Sequence, residues 1–367
     1  MRLLTSSAPA CAACRLGTML RAPAFHARRL RVLLLAPVFA MVFYFALCAS
    51  LKGIEWTLPV DVLLGRASKA AEVIFYNVRL PRTTTAAVVG AALALAGAVM
   101  QNVLRNPLAS ASTLGVSQGA SFGAALAITF FHAGIGTDGN LGAALSITSP
   151  AVVTAFAFLF GSVCGAVILA LSIAARVSSA TMILSGVALG AMFSGGTAII
   201  QYFADDIKVA SIVYWTFGDL GRTGWTQIGA LTAALLAAFA YFYANAWNYN
   251  ALANGTHTAK SLGVPVRVVL IAGMLAACLL SSLAVAFVGT IGFVGLIGPH
   301  LARRLTGANH RTLLIASPVC GAILLMGAEV LSRFVVPPAV LPIGAITSFL
   351  GAPVFLFMIF KAEGMTK

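Results

Sequence analysis

Five histidines, nine acids and six cysteines are the side chains here with the reactivity for catalysis or metal binding. Their spacing builds no site. His26, His132, His257, His300 and His310 fall on separate loops and helix ends. None pairs with another at the spacing that puts two imidazoles on one helix face. Cys11 and Cys14 form a lone Cys-x-x-Cys in an arginine-rich segment, without the second pair that a zinc site needs. Cys48, Cys164, Cys278 and Cys320 sit inside apolar runs, where a thiol serves as a small hydrophobe. Residues 255–261 imitate a phosphate loop around Lys260 and Ser261 but lack the glycine before the lysine that lets backbone amides close on a phosphate. The acids lie mostly between apolar runs, which argues against a carboxylate proton relay through a membrane. No catalytic residue, metal site or cofactor is expected. If ATP drives this protein, the ATPase is another chain.

Charged and glycine-rich positions point instead to docking and packing. Arg79 and Arg82 flank Leu80-Pro81, and Arg333 follows Glu329 by one helical turn. These arginines read as interfacial anchors, as an ion pair in the Glu329–Arg333 case, or as a docking ring for acids on an external partner. The stretch 248–266 is long for a connection between bundled helices, and residues 258–263 suit a turn or two of helix closed by Gly263. It reads either as a solvated linker or as a socket for a cytoplasmic motor. Small residues recur four apart at Gly119/Gly123, Gly161/Gly165 and Gly186/Gly190. That spacing brings helix backbones close in lipid, for packing within the chain, for a subunit contact or for lining a pathway.

The elements that must hold these residues are membrane helices. Of 367 residues, 60% are hydrophobic and 9% charged, against about 25% charged in soluble domains. Mean hydropathy is +0.99. At roughly 20 apolar residues per crossing, about ten spans fit. They are placed at about 30–51, 81–104, 112–131, 150–174, 180–203, 226–246, 267–288, 293–306, 311–334 and 342–361. Between the seventh and eighth lies a glycine-studded break, Gly289-Thr290-Ile291-Gly292. Non-helical backbone at membrane depth is tolerated only where protein buries it or a cavity borders it. A simple anchor has no use for such a break, so the chain reads as one that moves something across a bilayer.

The net charge of +14 suggests nucleic acid only until it is placed. With ten spans and a cytoplasmic N-terminus, 15 of the 23 basic residues fall inside and eight of the nine acids outside. Both termini are therefore expected in the cytoplasm. The organisation is a basic tail, 1–29, and a ten-helix domain, 30–362, with no soluble catalytic domain.

At these residues the chain resembles the permease family of type II ABC importers for iron–siderophore complexes, haem and cobalamin. The resemblance covers about 55–362 and rests on an ordered series. It begins with Arg79-Leu80-Pro81-Arg82, Gly90-Ala91, Gly97-Ala98-Val99-Met100-Gln101 and Arg105-Asn106-Pro107-Leu108-Ala109. Gly186-Val187-Ala188-Leu189-Gly190, Gly289 to Leu296 with Pro299-His300, Leu341-Pro342-Ile343-Gly344 and Gly351-Ala352-Pro353 follow. It implies an all-α polytopic bundle like that of the vitamin B12 importer permease, in the inner membrane of a bacterium. It also implies a homodimer with the pathway on its axis, two cytoplasmic ATP-binding subunits and a periplasmic substrate-binding protein. The family's docking arginines carry over to Arg79, Arg82 and Arg333. Its ATPase-coupling loop carries over to Gly255, Ala259, Leu262 and Gly263. Many members have an acid after the glycine of that loop; Thr256 stands there in this chain. Ser178 and Ser179 fall where the family narrows its inner gate, although both also suit a helix cap. Gly186 and Gly190 are expected on the pathway. The competing class, a secondary transporter driven by protons or sodium, predicts mid-membrane carboxylates. Nothing in the sequence ranks siderophore, haem and cobalamin.

Overall fold

The computed structural model describes residues 21–50, 53–131, 149–175 and 179–364. The expected tail up to residue 20, with Cys11 and Cys14, and the gate residue Ser178 lie outside them. Among the described residues, ten helices fall at the ten expected spans. They are α1 (Arg21–Cys48), α2 (Leu80–Val103), α3 (Val116–Phe130), α4 (Pro150–Ala175) and α5 (Ser179–Phe203). α6 (Trp225–Ala244), α7 (Val266–Val288), α8 (Val294–Thr306), α9 (His310–Phe334) and α10 (Ile343–Gly364) complete the series. Six of the described helices are long and apolar enough to cross a membrane outright, and α1, α3 and α10 contain shorter apolar stretches. α8 has only 13 residues and carries Arg303 and Arg304 in its last turn.

The bundle is built around α2. Every residue from Val89 to Val103 is buried, as a helix apolar on all sides must be when other helices enclose it. Its most extensive contact is with α9, followed by α7 and α8. Small residues make this possible. A Cβ on Gly90 would lie 2.4 Å from the carbonyl oxygen of Gly321 in α9, and one on Gly97 only 1.9 Å from that of Gly295 in α8. The two glycines are seven residues apart, two turns along one helix, so one stripe of α2 receives both neighbours backbone to backbone. The Gly119/Gly123 pair of α3 does the same against the Phe160 and Phe156 carbonyls of α4.

Three connections differ from simple loops. The α2 rod begins further out than expected: helix Lys69–Ile74 runs through a π-helical turn, Phe75–Arg79, straight into α2. A short helix, Asp206–Thr216, follows α5 and had no counterpart among the expected spans. Its 11 residues fall well below spanning length, and the acid in its first turn suits an N-terminus exposed to water. The 248–266 stretch is structured: helix Ala246–Ala253 is followed by helix Thr256–Ser261.

Candidate functional site: the charge cluster, the helix break and the 248–266 loop

At one end, three arginines expected to dock a partner are each held by acids of the same chain. Arg79 ends the π turn and pairs with Glu55 at 3.1 Å. Arg82, one turn on, stands 2.9 Å from Glu329 and 3.8 Å from Asp219. Arg333 Nε donates to Glu329 Oε1 at 2.6 Å, and its Nη1 donates to the carbonyl of Ala49 at 2.8 Å. Glu329 is wholly buried and Arg333 is 6% exposed. The i, i+4 ion pair read from the sequence is therefore present, and it is the buried centre of a larger cluster joining α1, α2 and α9. Arg333 faces inward, whereas Arg79 and Arg82 are nearer the surface. Glu55 and Asp219 were not singled out from sequence, because their partners lie 24 and 137 positions away.

The same end carries Arg222, whose guanidinium lies over the Tyr214 ring at 4.8 Å and donates to the Tyr214 carbonyl at 2.6 Å. Burial lowers its pKa, while Asp219 and Tyr214 oppose that shift.

Next to this cluster, where Asp219 N donates to Val288 O, the glycine-studded break does what its composition implies. α7 stops at Val288, Gly289 takes φ +85°, and α8 starts after Phe293 at φ +63°. Positive φ is uncommon for a bulky aromatic residue. Three chain segments cross here with only backbone between them. A Cβ on Gly289 would lie 2.4 Å from the Trp215 carbonyl oxygen, and one on Gly344 2.3 Å from that of Thr290. Hydrogen bonds from Asp219 N to Val288 O (2.7 Å) and from Gly344 N to Phe217 O (3.0 Å) satisfy backbone groups that lipid could not.

Beside this crossing lies a cavity of about 390 Å³. The first turns of α3, the C-terminal half of α5, Thr216, the break and Ser348 of α10 line it. Its walls carry hydroxyls and one amide, from residues including Ser112, Ser117, Gln118, Ser121, Ser194 and Thr197. Gly292 and Phe293 also border a separate, apolar cavity of about 300 Å³ between α8, α9 and α10.

Of the expected gate residues, Ser178 falls outside the described residues and Ser179 opens α5. Gly186 and Gly190 pack within the chain. A Cβ on Gly186 would lie 2.8 Å from the Thr113 carbonyl oxygen, and Gly115 approaches both glycines from the α2–α3 turn.

At the other end, helix Thr256–Ser261 sits between two glycines at positive φ, Gly255 (+113°) and Gly263 (+78°). That is the helical turn closed by Gly263 that the sequence suggests. Ala259 is fully buried and anchors the turn, while Leu262 is 52% exposed. The preceding helix is tied to the core. Asn102 of α2 donates to the Tyr249 carbonyl at 3.2 Å, and Asn250 Oδ1 accepts from the backbone N–H of His310 at 2.8 Å. Tyr249 is buried against His310, and burial pushes its phenol pKa up. Sequence reading missed Asn102 and Asn250, since a lone asparagine carries no spacing signal.

Among the described residues, no group of three or more histidines, cysteines or acids could hold a metal ion. Cys48, Cys164, Cys278 and Cys320 are buried free thiols, as small hydrophobes would be.

A central glycine-packed helix, a broken helix pair bordering a hydroxyl-bearing cavity, and a small glycine-bracketed helix at the opposite end are the features of a membrane translocation subunit. The profile of the FecCD transport family matches residues 38–361, and the chain belongs to that family. It is 34% identical to the hemin transport system permease HmuU of Yersinia pestis over 78% of this chain and 83% of that one. It is also 34% identical to the vitamin B12 import permease BtuC of Klebsiella pneumoniae, over 87% and 90% of the two chains. A solved structure titled as an inward-facing conformation of a metal-chelate type ABC transporter superposes with TM-score 0.77 at 29% identity. It covers 90% of this chain and 98% of that one. The chain is thus an ABC transporter permease subunit with the fold of the B12 permeases.

Proposed function

We propose that this subunit, as a homodimer with two cytoplasmic ATP-binding subunits and an external binding protein, imports a metal chelate: a ferric siderophore, haem or cobalamin. It works in a bacterial inner membrane with both termini in the cytoplasm. The chain forms the doorway and performs no bond-making chemistry; ATP is hydrolysed in the partner. The observation that carries this reading is the helix Thr256–Ser261, which buries Ala259 and leaves Leu262 exposed. A glycine-bracketed helix on the basic face, seated through Ala259 and tied to α2 and α9 by Asn102 and Asn250, is a fixed projection of the kind a protein socket receives. Nucleotide-driven movement of the ATPase would press on this helix. The push would reach α2 and α9 through Asn102 and Asn250 and bias inward- against outward-open arrangements.

At the outer face, Arg79 and Arg82 are the arginines placed to meet acids of a binding protein. Those acids would exchange with Glu55 and Asp219, while Arg333 supports them from beneath through Glu329.

Leu262→Asp is the discriminating variant. The chain should still insert in the membrane and dimerise, but it should no longer co-purify with its ATP-binding subunit, and uptake by reconstituted proteoliposomes should stop. Unchanged ATP-driven uptake would remove the coupling role. Accumulation driven by an ion gradient in vesicles containing this chain alone would replace the whole reading with a secondary transporter.

A further inference from the structure

The end of the bundle that carries the 248–266 loop holds a cavity of about 330 Å³. Gln101, Asn102, Arg105, Asn106, Arg303 and His310 line it, from the end of α2, the last turns of α8 and the start of α9. It has two guanidinium groups and no carboxylate. Residues 73–137 and 220–328, which supply every wall, contain no acid. Among the described residues, neither arginine has an ion-pair partner. Arg303 is half-buried and held by Gln101, whose Oε1 accepts from its Nη2. Its other N–H groups have no protein acceptor among the described residues, whereas neighbouring Arg304 donates to the Met358 carbonyl at 3.3 Å. A cation taken partly out of water is ordinarily paired.

Arg105 adds a second observation. It stands just past the end of α2 at φ +49°. Its N–H donates to the Asn102 carbonyl at 3.0 Å, and that of Asn106 to the Gln101 carbonyl at 3.1 Å. That pair of bonds closes a helix around a left-handed residue, a place that glycine usually takes. These amides already satisfy the last carbonyls of α2, so the guanidinium is not needed as a helix cap. A strained backbone position is thus given to an exposed cation on the cavity's rim. Asn106 Oδ1 accepts from Leu108 N at 2.8 Å, and the NH2 of Asn106 has no protein acceptor.

We propose that this cavity is an oxyanion site that takes a phosphate group, free or on a phospholipid headgroup. The forks of Arg105 and Arg303 suit phosphate oxygens, and the Asn106 amide adds a neutral donor. Bound there, the anion would join α2 to α8 beside Asn102 and His310, the two residues that meet helix Ala246–Ala253. The site thus stands apart from the importer reading and holds whether or not an ATPase docks nearby.

The test is thermal unfolding of the full chain in a neutral detergent, with inorganic phosphate titrated against chloride at constant ionic strength. The melting temperature should rise saturably. Phosphate stabilises many proteins by exclusion from their surface, so the variants decide. Arg105→Gln alters an exposed side chain and should fold as wild type does, yet raise the half-saturating phosphate concentration about tenfold. Arg303→Gln should do the same, and Arg304→Gln should leave the response unchanged. Phosphatidylglycerol in mixed micelles, compared with phosphatidylcholine, separates the two sources. A shift with phosphatidylglycerol that abolishes the phosphate response assigns the site to a headgroup; a phosphate response that persists assigns it to the free anion. A phosphate response identical in wild type, Arg105→Gln and Arg303→Gln would overturn the site. So would the absence of any response to phosphate or phosphatidylglycerol. If the Arg105→Gln chain then also lost its ATP-binding subunit on co-purification, the cavity would be a socket for a partner's carboxylate instead, with the importer reading intact.

Discussion

Glu329 shows how much rests on one carboxylate. It is buried completely between Arg82 and Arg333, and Arg333 also reaches the carbonyls that end α1. Removing one member of a buried charge cluster leaves the others desolvated and unpaired, which costs about 3–5 kcal/mol. Glu329→Gln should therefore lower the unfolding temperature of the detergent-purified protein markedly. Glu55→Gln, by contrast, removes a 46%-exposed partner of Arg79; exposed pairs are worth about 0–1 kcal/mol, so its melting should scarcely move. Equal losses in the two variants would show that the cluster is no more than a surface pair.

Among the elements, α2 is the least forgiving. A methyl group on Gly97 would stand 1.9 Å from a carbonyl oxygen of α8 that belongs to backbone and cannot rotate away. Gly97→Val should thus abolish the folded, monodisperse protein in a size-exclusion assay. Gly229→Val, at a position where an added Cβ meets nothing within 4 Å, should leave it intact. How these elements were foreshadowed varies with the physics. The long helices were legible because hydrocarbon demands about 20 apolar residues of each. The break at Gly289 was legible because loose glycines have no other use at that depth. The helix Asp206–Thr216 was not, since 11 residues of mixed polarity make no periodic signal. The hydroxyl cavity was hidden too. Ser117, Thr197, Thr216, Thr290 and Ser348 lie on five different segments, and only folding brings them together. Arg79, Arg82 and Arg333 were visible as charges, but their internal partners Glu55 and Asp219 were not.

At the scale of the molecule, charge asymmetry predicts the orientation. On the proposed topology, the positive-inside rule places the basic residues of the Lys260 loop and the α8 end on the cytoplasmic face and the Lys69 region on the other. In right-side-out vesicles, a cysteine placed at Lys69 should react with a membrane-impermeant thiol reagent. One placed at Lys260 should react only after the membrane is opened. The reverse pattern would invert the protein in the bilayer, and with it the direction of transport.

The crossing of Gly218, Gly289 and Gly344 has a mechanical consequence. Backbones packed against one another with no side chain between them leave no slack at the joint. Asp219, which touches Arg82, is one residue from this joint on one strand, and Thr290, which faces the hydroxyl cavity, is one residue from it on another. A pull on Arg82 and a shift in the cavity wall would then be two ends of a single short lever. On the importer reading proposed above, a binding protein seated on Arg82 would be felt at the cavity without any helix in between having to slide.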